Sequence, residues 1–307
     1  MPARHPLHRT APAPGRAVAV LTANAVVLGT AFVLAPARLA AIGSGGGLSE
    51  RQGLARALGP AFAAYWESGG RAFPPDLARV VDYWARYHVV KAVLAAALLL
   101  VLAALVGRLR KAFLRPDGPG PGLGRGRRAG WAAAGVLAGG AALAALAAVM
   151  ANIQGAAAPF SSLLPMLTSD GATRAAGATG TPDRIAGVTE QIRQGLAHYP
   201  GTGSREPGAA ALRTMVEDFG HYHAVLAVTA AVVAVGLAGL SVLSWRRLGT
   251  AGAAGDDDHR RRVRRTAAVL GTLLGVLAVG TAVVAAANTG TASNPAPALL
   301  AFWEGSW

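Results

Sequence analysis

Five stretches of this 307-residue chain contain no Asp, Glu, Lys or Arg: 17–37, 92–107, 129–169, 219–245 and 266–303. A helix that crosses a bilayer needs about 20 mostly apolar residues. Lipid offers the backbone no hydrogen-bond partners, so runs of this length must close their own bonds as helices. The pattern predicts an all-α integral membrane protein with five transmembrane helices, at 17–39, 86–107, 131–153, 222–245 and 266–288. Charged residues make up only 14% of the chain, against about 25% in a soluble domain. Small residues let helices approach closely, so Gly139, Gly140, Gly271, Gly275 and Gly280 are expected at helix–helix contacts. The chain has no cysteine, which excludes disulfides and thiolate metal sites.

The formal net charge of +14 would suit a nucleic-acid partner, but its placement points elsewhere. Seventeen of the 29 basic residues lie in the N-terminal tail, in 108–128 and in 246–265, three segments that five spans put on one side. This is the positive-inside pattern. It predicts a multi-pass cell-membrane protein with a cytoplasmic N-terminus and the C-terminal AFWEGSW outside. The basic loops read as topology determinants and contacts to anionic lipid, with the bilayer as partner and no nucleic acid. Asp256, Asp257 and Asp258 stand beside a run of Arg and read as a solvated charge cluster rather than a cation site. The first span, with 21 uncharged residues, exceeds the ~7–15 of a signal-peptide core and reads as a retained helix.

The chain also carries one motif twice. Residues 80–90 read VVDYWARYHVV and residues 215–225 read MVEDFGHYHAV. Aligning Tyr87-His88 with Tyr222-His223 sets Asp82 against Glu217, Trp84 against Phe219 and Val90 against Val225. Ala151-Asn152, Pro159 and Leu163-Leu164 recur as Ala287-Asn288, Pro295 and Leu299-Leu300, one residue further on. Internal repeats constrain architecture directly. Spans two and three form one helical hairpin and spans four and five the other, in the same orientation, as parallel repeats about an axis along the membrane normal.

The predicted organisation is a disordered tail (1–16), a first helix (17–39), an outer loop with an amphipathic helix (40–82), repeat 1 (83–167), an outer loop with a short helix (168–215) and repeat 2 with an outer tail (216–307). In the first outer loop a helix starts behind Ser49 and is interrupted near Pro60. Pro74-Pro75-Asp76 starts a helix running straight into the second span. Thr181-Pro182-Asp183 offers a cap, a proline at the first helical position and an acid in the first turn. Ile185, Val188, Ile192 and Leu196 follow it at helical spacing.

Topology brings both copies of the motif to the outer face. Asp82 and Glu217 fall near the outer starts of their helices, His88 and His223 about a turn deeper, and Asn152 and Asn288 at matching depth. Trp84, His88 and Lys91 share one helix face; Asp82–Arg86 and Glu217–His221 are i,i+4 pairs. His88, His223, Lys91, Asp82 and Glu217 are the candidate catalytic groups, and Trp84, Tyr87, Tyr222, Asn152 and Asn288 the candidate pocket. His88 and His223 could ligate a metal or a haem, or act as acid or base; the residues alone name no cofactor. Equally, Tyr, Trp and His suit a membrane interface as anchors, and acids suit helix starts. Three functions remain: an outward-facing pocket for a small molecule, lipid or ion; a membrane-embedded oxidoreductase or oxygenase using His88 and His223; and a structural or partner-binding subunit. A transport path would need a homo-oligomer to enclose it.

Trp84-x3-His88-x2-Lys91, leading directly into an apolar span, resembles the Trp-x3-Asn/His-x2-Arg/Lys signature of the anthrone-oxygenase-like family of small membrane proteins. Gly29-Thr30-Ala31-Phe32 before Pro36 is similar to that family's first helix. The resemblance implies a compact helical bundle, cofactor-free oxygenation of polycyclic aromatics and a pocket lined by Trp84, His88 and Lys91. The chain departs from the family in having five spans rather than four, a duplication, and Phe219 and Leu226 where the first copy has Trp84 and Lys91.

Overall fold

The computed structural model describes residues 14–43, 47–114, 123–168, 181–199, 208–250 and 257–306, and among them every regular element is helical. In chain order these are α1 (Pro14–Ala40), α2 (Arg51–Ser68), α3 (Pro75–Phe113), α4 (Leu123–Ala157), α5 (Pro159–Leu163) with a 3-10 turn over Leu164–Met166, α6 (Thr181–Ala197), α7 (Ala209–Thr250), α8 (Asp257–Ser293) and α9 (Pro295–Trp303). Helices α1, α3, α4, α7 and α8 are long and apolar enough to cross a membrane. The chain is a multi-pass helical membrane protein.

The long helices overrun the apolar spans at both ends. Helix α3 shows why. Pro75 occupies its first turn with Asp76 beside it, and Arg110 and Lys111 close its last turn. Proline lacks the donor that a first turn would leave unpaired, and the flanking charges complement the helix dipole. Helix α1 packs on α3, α3 on α4, and α7 on α8, while α4 against α7 joins the two hairpins. The outward faces stay bare: Leu100, Val136 and Val235 are 72%, 75% and 74% exposed, as suits surfaces covered by lipid rather than by water.

The densest packing lies beyond the spans. Helices α2, α5, α6 and α9 gather as a cap on the first turns of α3 and α7. Leu58, Phe62, Tyr65, Leu77, Val80, Phe160, Ile192, Met215 and Leu299 are buried there. Phe73 packs at a tilt against Phe160, 4.8 Å away, and meets Tyr65 edge-on at 5.2 Å. Lipid tails are as apolar as leucine, so burial drives helices together only weakly inside the membrane. The cap faces water, and there the hydrophobic effect acts in full. A smaller cluster of Leu102, Leu105, Leu109, Ala138 and Ala145 holds α3, α4 and α1 together toward the basic end.

The cap arises from two proline breaks. Ala158 and Asn294, each preceding a proline, take similar non-helical dihedrals (φ −129°, ψ 67° and φ −141°, ψ 75°). A residue before proline is pushed out of the helical region, and the proline then opens a new helix at its first turn. So α4 and α8 bend into α5 and α9 over the end of the bundle.

Several expectations change. Glu50, not Ser49, is the N-cap of α2, and its side chain makes no capping bond. Pro60 does not interrupt α2, which runs through it to Ser68. Gly271 and Gly275 lie against Trp245 and Ser241 as expected, but the Cβ positions of Gly139, Gly140 and Gly280 have nothing within 4 Å. On α4 it is Ala138, one residue earlier, that is turned inward. Helix α6 starts at Thr181 as predicted, with Ile185, Val188, Ile192 and Leu196 all buried. The segment 108–130, expected as a loop, is helical up to Phe113 and again from Leu123. Asp257 and Asp258 sit in the first turn of α8, where Asp257 pairs with Arg260 at 2.9 Å. The predicted disordered tail falls mostly outside the described residues, as do Asp256 and the middle of the 108–130 segment.

On the cap surface Arg184 of α6 pairs with Glu67 of α2. That hydrogen bond holds the Glu67 carboxyl below its ordinary value. A carboxyl lowered by folding stabilises the fold above its unfolded pKa and loses that contribution as pH falls through the folded value. Both groups are half exposed, so the contribution is small. The check is site-resolved NMR titration: Glu67 is expected to titrate higher in Arg184→Gln than in the native chain, and an unchanged midpoint would contradict the pairing.

Candidate functional site

The repeated motif builds a polar layer across the bundle, just beneath the cap. On α3, His88 Nδ1 lies 2.9 Å from Oδ1 of Asn152 on α4. On α7, His223 Nδ1 lies 2.6 Å from Oδ1 of Asn288 on α8. Between the two hairpins, Gln154 of α4 donates to the Tyr222 carbonyl of α7 at 3.1 Å. Within this layer an interhelical hydrogen bond thus crosses each seam, α3–α4, α4–α7 and α7–α8. Asn152, Gln154 and His223 are buried, at 6%, 5% and 5% exposure, so these bonds form where an unpaired polar group is expensive.

The asparagines fix the tautomer of the rings. Asn152 Nδ2 donates to the Ala148 carbonyl at 2.7 Å, and Asn288 Nδ2 to the Val284 carbonyl at 2.8 Å. Each amide thus spends its donor on its own helix and turns its oxygen to the imidazole. A neutral imidazole has one donor and one acceptor, so Nδ1 carries the proton and Nε2 keeps the lone pair. His88 Nε2 is buried and has no hydrogen-bond partner among the described residues.

A glycine makes room for the first ring. A Cβ on Gly155 would fall 2.7 Å from Nδ1 and Cε1 of His88 and 2.8 Å from Cδ2. Trp84 meets His88 edge-on at 4.8 Å, and stacks on Tyr87 at 4.9 Å with the planes 3° apart. Trp84 Nε1 donates to Ser162 Oγ at 2.7 Å, tying this aromatic set to α5. In the second hairpin Phe219 replaces Trp84 against His223, at 4.6 Å, and Tyr222 meets the same ring at 5.5 Å. The two imidazoles are each turned into their own hairpin.

The other candidates separate from this layer. Lys91 does not join His88; its Nζ lies 4.6 Å from the Phe32 ring of α1 and 5.3 Å from the Tyr87 ring. Glu217, expected to pair with His221, reaches across the cap to Arg71 at 2.5 Å. Asp82 is exposed, and Arg86 donates to the backbone carbonyls of Asp82 and Ile42. Among the described residues no three His, Cys, Asp or Glu side chains gather where they could hold a metal ion.

Among the described residues the most enclosed acid is one that the sequence pattern did not single out. Asp218 Oδ2 accepts from both the backbone N–H and the hydroxyl of Ser161, at 2.7 and 2.8 Å, pinning α5 to α7. Copy matching favoured Glu217, which aligns with Asp82. Helical spacing holds the better signal: Ala211, Met215, Asp218 and Tyr222 fall at i, i+4, i+7 and i+11, one face of a helix, and Ala211 and Met215 are fully buried. The chain matches no family model, no curated protein and no solved structure.

Proposed function

We propose that this chain is a duplicated pair of membrane hairpins that binds a small donor-bearing molecule in the polar layer beneath an outward-facing cap. The charge asymmetry of the loops supports the orientation, and the paired motif supports the duplication. The observation that carries the binding reading is the His88 Nε2 lone pair, buried and without a partner among the described residues. A buried acceptor left unpaired costs about 1–3 kcal/mol, so a site that retains one is suited to an O–H or N–H donor from a ligand. Trp84 and Tyr87 supply an apolar wall beside it. Asn152 does the orienting: it holds the proton on Nδ1, so that the ring is presented as acceptor.

The same arrangement favours a second reading, a metal or haem ligated through Nε2, because ligating histidines usually donate their other ring N–H to a fixed acceptor. The two readings part in one preparation. Native mass spectrometry of the protein released from detergent is expected to show a non-covalent organic species on the native chain that is absent from His88→Phe. A Soret band or a stoichiometric metal lost in the same variant would favour the second reading instead. Identical spectra for both proteins, with no bound species, would refute both.

A further inference from the structure

We infer that Lys91 forms a binding site for the phosphate of an anionic phospholipid in the cap-side leaflet, at the seam of α1 and α3. This proposal is independent of the ligand proposed for His88. Between Arg86 and Arg108 on α3, Lys91 is the one Asp, Glu, Lys or Arg. Among the described residues no carboxylate pairs with it. Its ammonium lies instead between the rings of Phe32 and Tyr87, at 4.6 and 5.3 Å. Two aromatic faces attract a cation but accept few of its three hydrogen bonds.

Depth decides what could accept them. At 1.5 Å per residue, the 17 residues from Lys91 to Arg108 span about 26 Å. On α1 the 16 residues from Arg16 to Phe32 span about 24 Å. Both helices thus put the ammonium some 24–26 Å above the basic rim, in a hydrocarbon layer about 30 Å thick. That is a few ångströms short of the opposite headgroups, within reach of a snorkelling lysine. Val33, next to Phe32 on α1, is 73% exposed, so acyl chains lie against α1 beside this lysine. A lipid whose phosphate meets Lys91 would place its tails along α1 beside Val33. The second hairpin has Leu226 at the matching position, so the site belongs to the first hairpin alone.

The test is native mass spectrometry of the full chain extracted into equal amounts of phosphatidylglycerol and phosphatidylcholine. A juxtamembrane lysine contributes about 1 kcal/mol toward an anionic lipid, which corresponds to about a fivefold loss of retained phosphatidylglycerol in Lys91→Gln. Lys91→Arg is expected to keep it. Equal retention by Lys91→Gln and the native chain would overturn the proposal. So would displacement of the lipid by millimolar inorganic phosphate, which would make this a site for the free anion. A second measurement needs no variant. Lys91 and Lys111 are the only lysines in the chain, so acylation by a neutral reagent can be read at Lys91 alone. It is expected to slow about fivefold on moving from phosphatidylcholine to phosphatidylglycerol nanodiscs, and an unchanged rate would contradict the site.

Discussion

Gly155→Ala is expected to destabilise the protein by about 1–3 kcal/mol and to break the His88–Asn152 bond. Alanine in a helix is ordinarily favoured over glycine, by about 1 kcal/mol, so the sign rests on the surroundings. The new methyl would fall 2.7–2.8 Å from three atoms of the His88 ring, well inside van der Waals contact. The ring cannot step aside cheaply, because Asn152 holds its Nδ1 and Trp84 packs against it edge-on. Overpacking therefore outweighs propensity. Gly139→Ala on the same helix is the matched control: nothing lies within 4 Å of its Cβ position, and it is expected to be neutral or stabilising. Unfolding of the two variants in detergent would decide the matter; equal stabilities would contradict the packing described for His88.

Asp218→Ala is the second large effect, at about 3 kcal/mol. Hydrogen bonds to a charged group contribute about 1.5–3 kcal/mol each, and this one oxygen accepts two, from the N–H and the hydroxyl of Ser161. Removing it also strands the Ser161 N–H at the start of α5, which has no other cap. Asp218→Asn keeps an acceptor oxygen and should lose only about 1 kcal/mol, the difference between charged and neutral acceptors. Glu217→Ala, one residue away, removes a pair whose members are 58% and 56% exposed and is expected to change stability by less than about 1 kcal/mol. If Glu217→Ala proved the costlier of the two, the assignment of the structural acid would be wrong.

The contrast between Asp218 and Glu217 shows what could be read in the sequence. The five spans were legible because a charge inside a bilayer is costly, so charge-free runs mark the crossings directly. His88, His223, Asn152 and Asn288 were legible because they recur, and the structure brings each histidine to its own asparagine. Their orientation was not legible: that the rings turn into their hairpins depends on Gly155 and on the Ala148 and Val284 carbonyls, which no spacing rule links to a histidine. Lys91 shared a helix face with His88 on paper, yet its long side chain leaves that face for Phe32 on α1, a contact set by how two helices cross. The cap was seen only in part. Two of its helices, α5 and α9, begin at prolines that also read as terminators, and its core draws short apolar runs from distant parts of the chain. Gly139 and Gly140 show the same limit, since a small residue permits a close approach without saying which face the neighbour takes.

The central claim is that Asn152 and Asn288 hold their histidines as Nδ1–H tautomers and so present Nε2 as the acceptor. Nitrogen-15 NMR of histidine-labelled protein in lipid measures this directly. The account predicts Nδ1–H rings for His88 and His223, and reversion of His88 alone in Asn152→Leu. An Nε2–H ring at His88 in the native chain would contradict it.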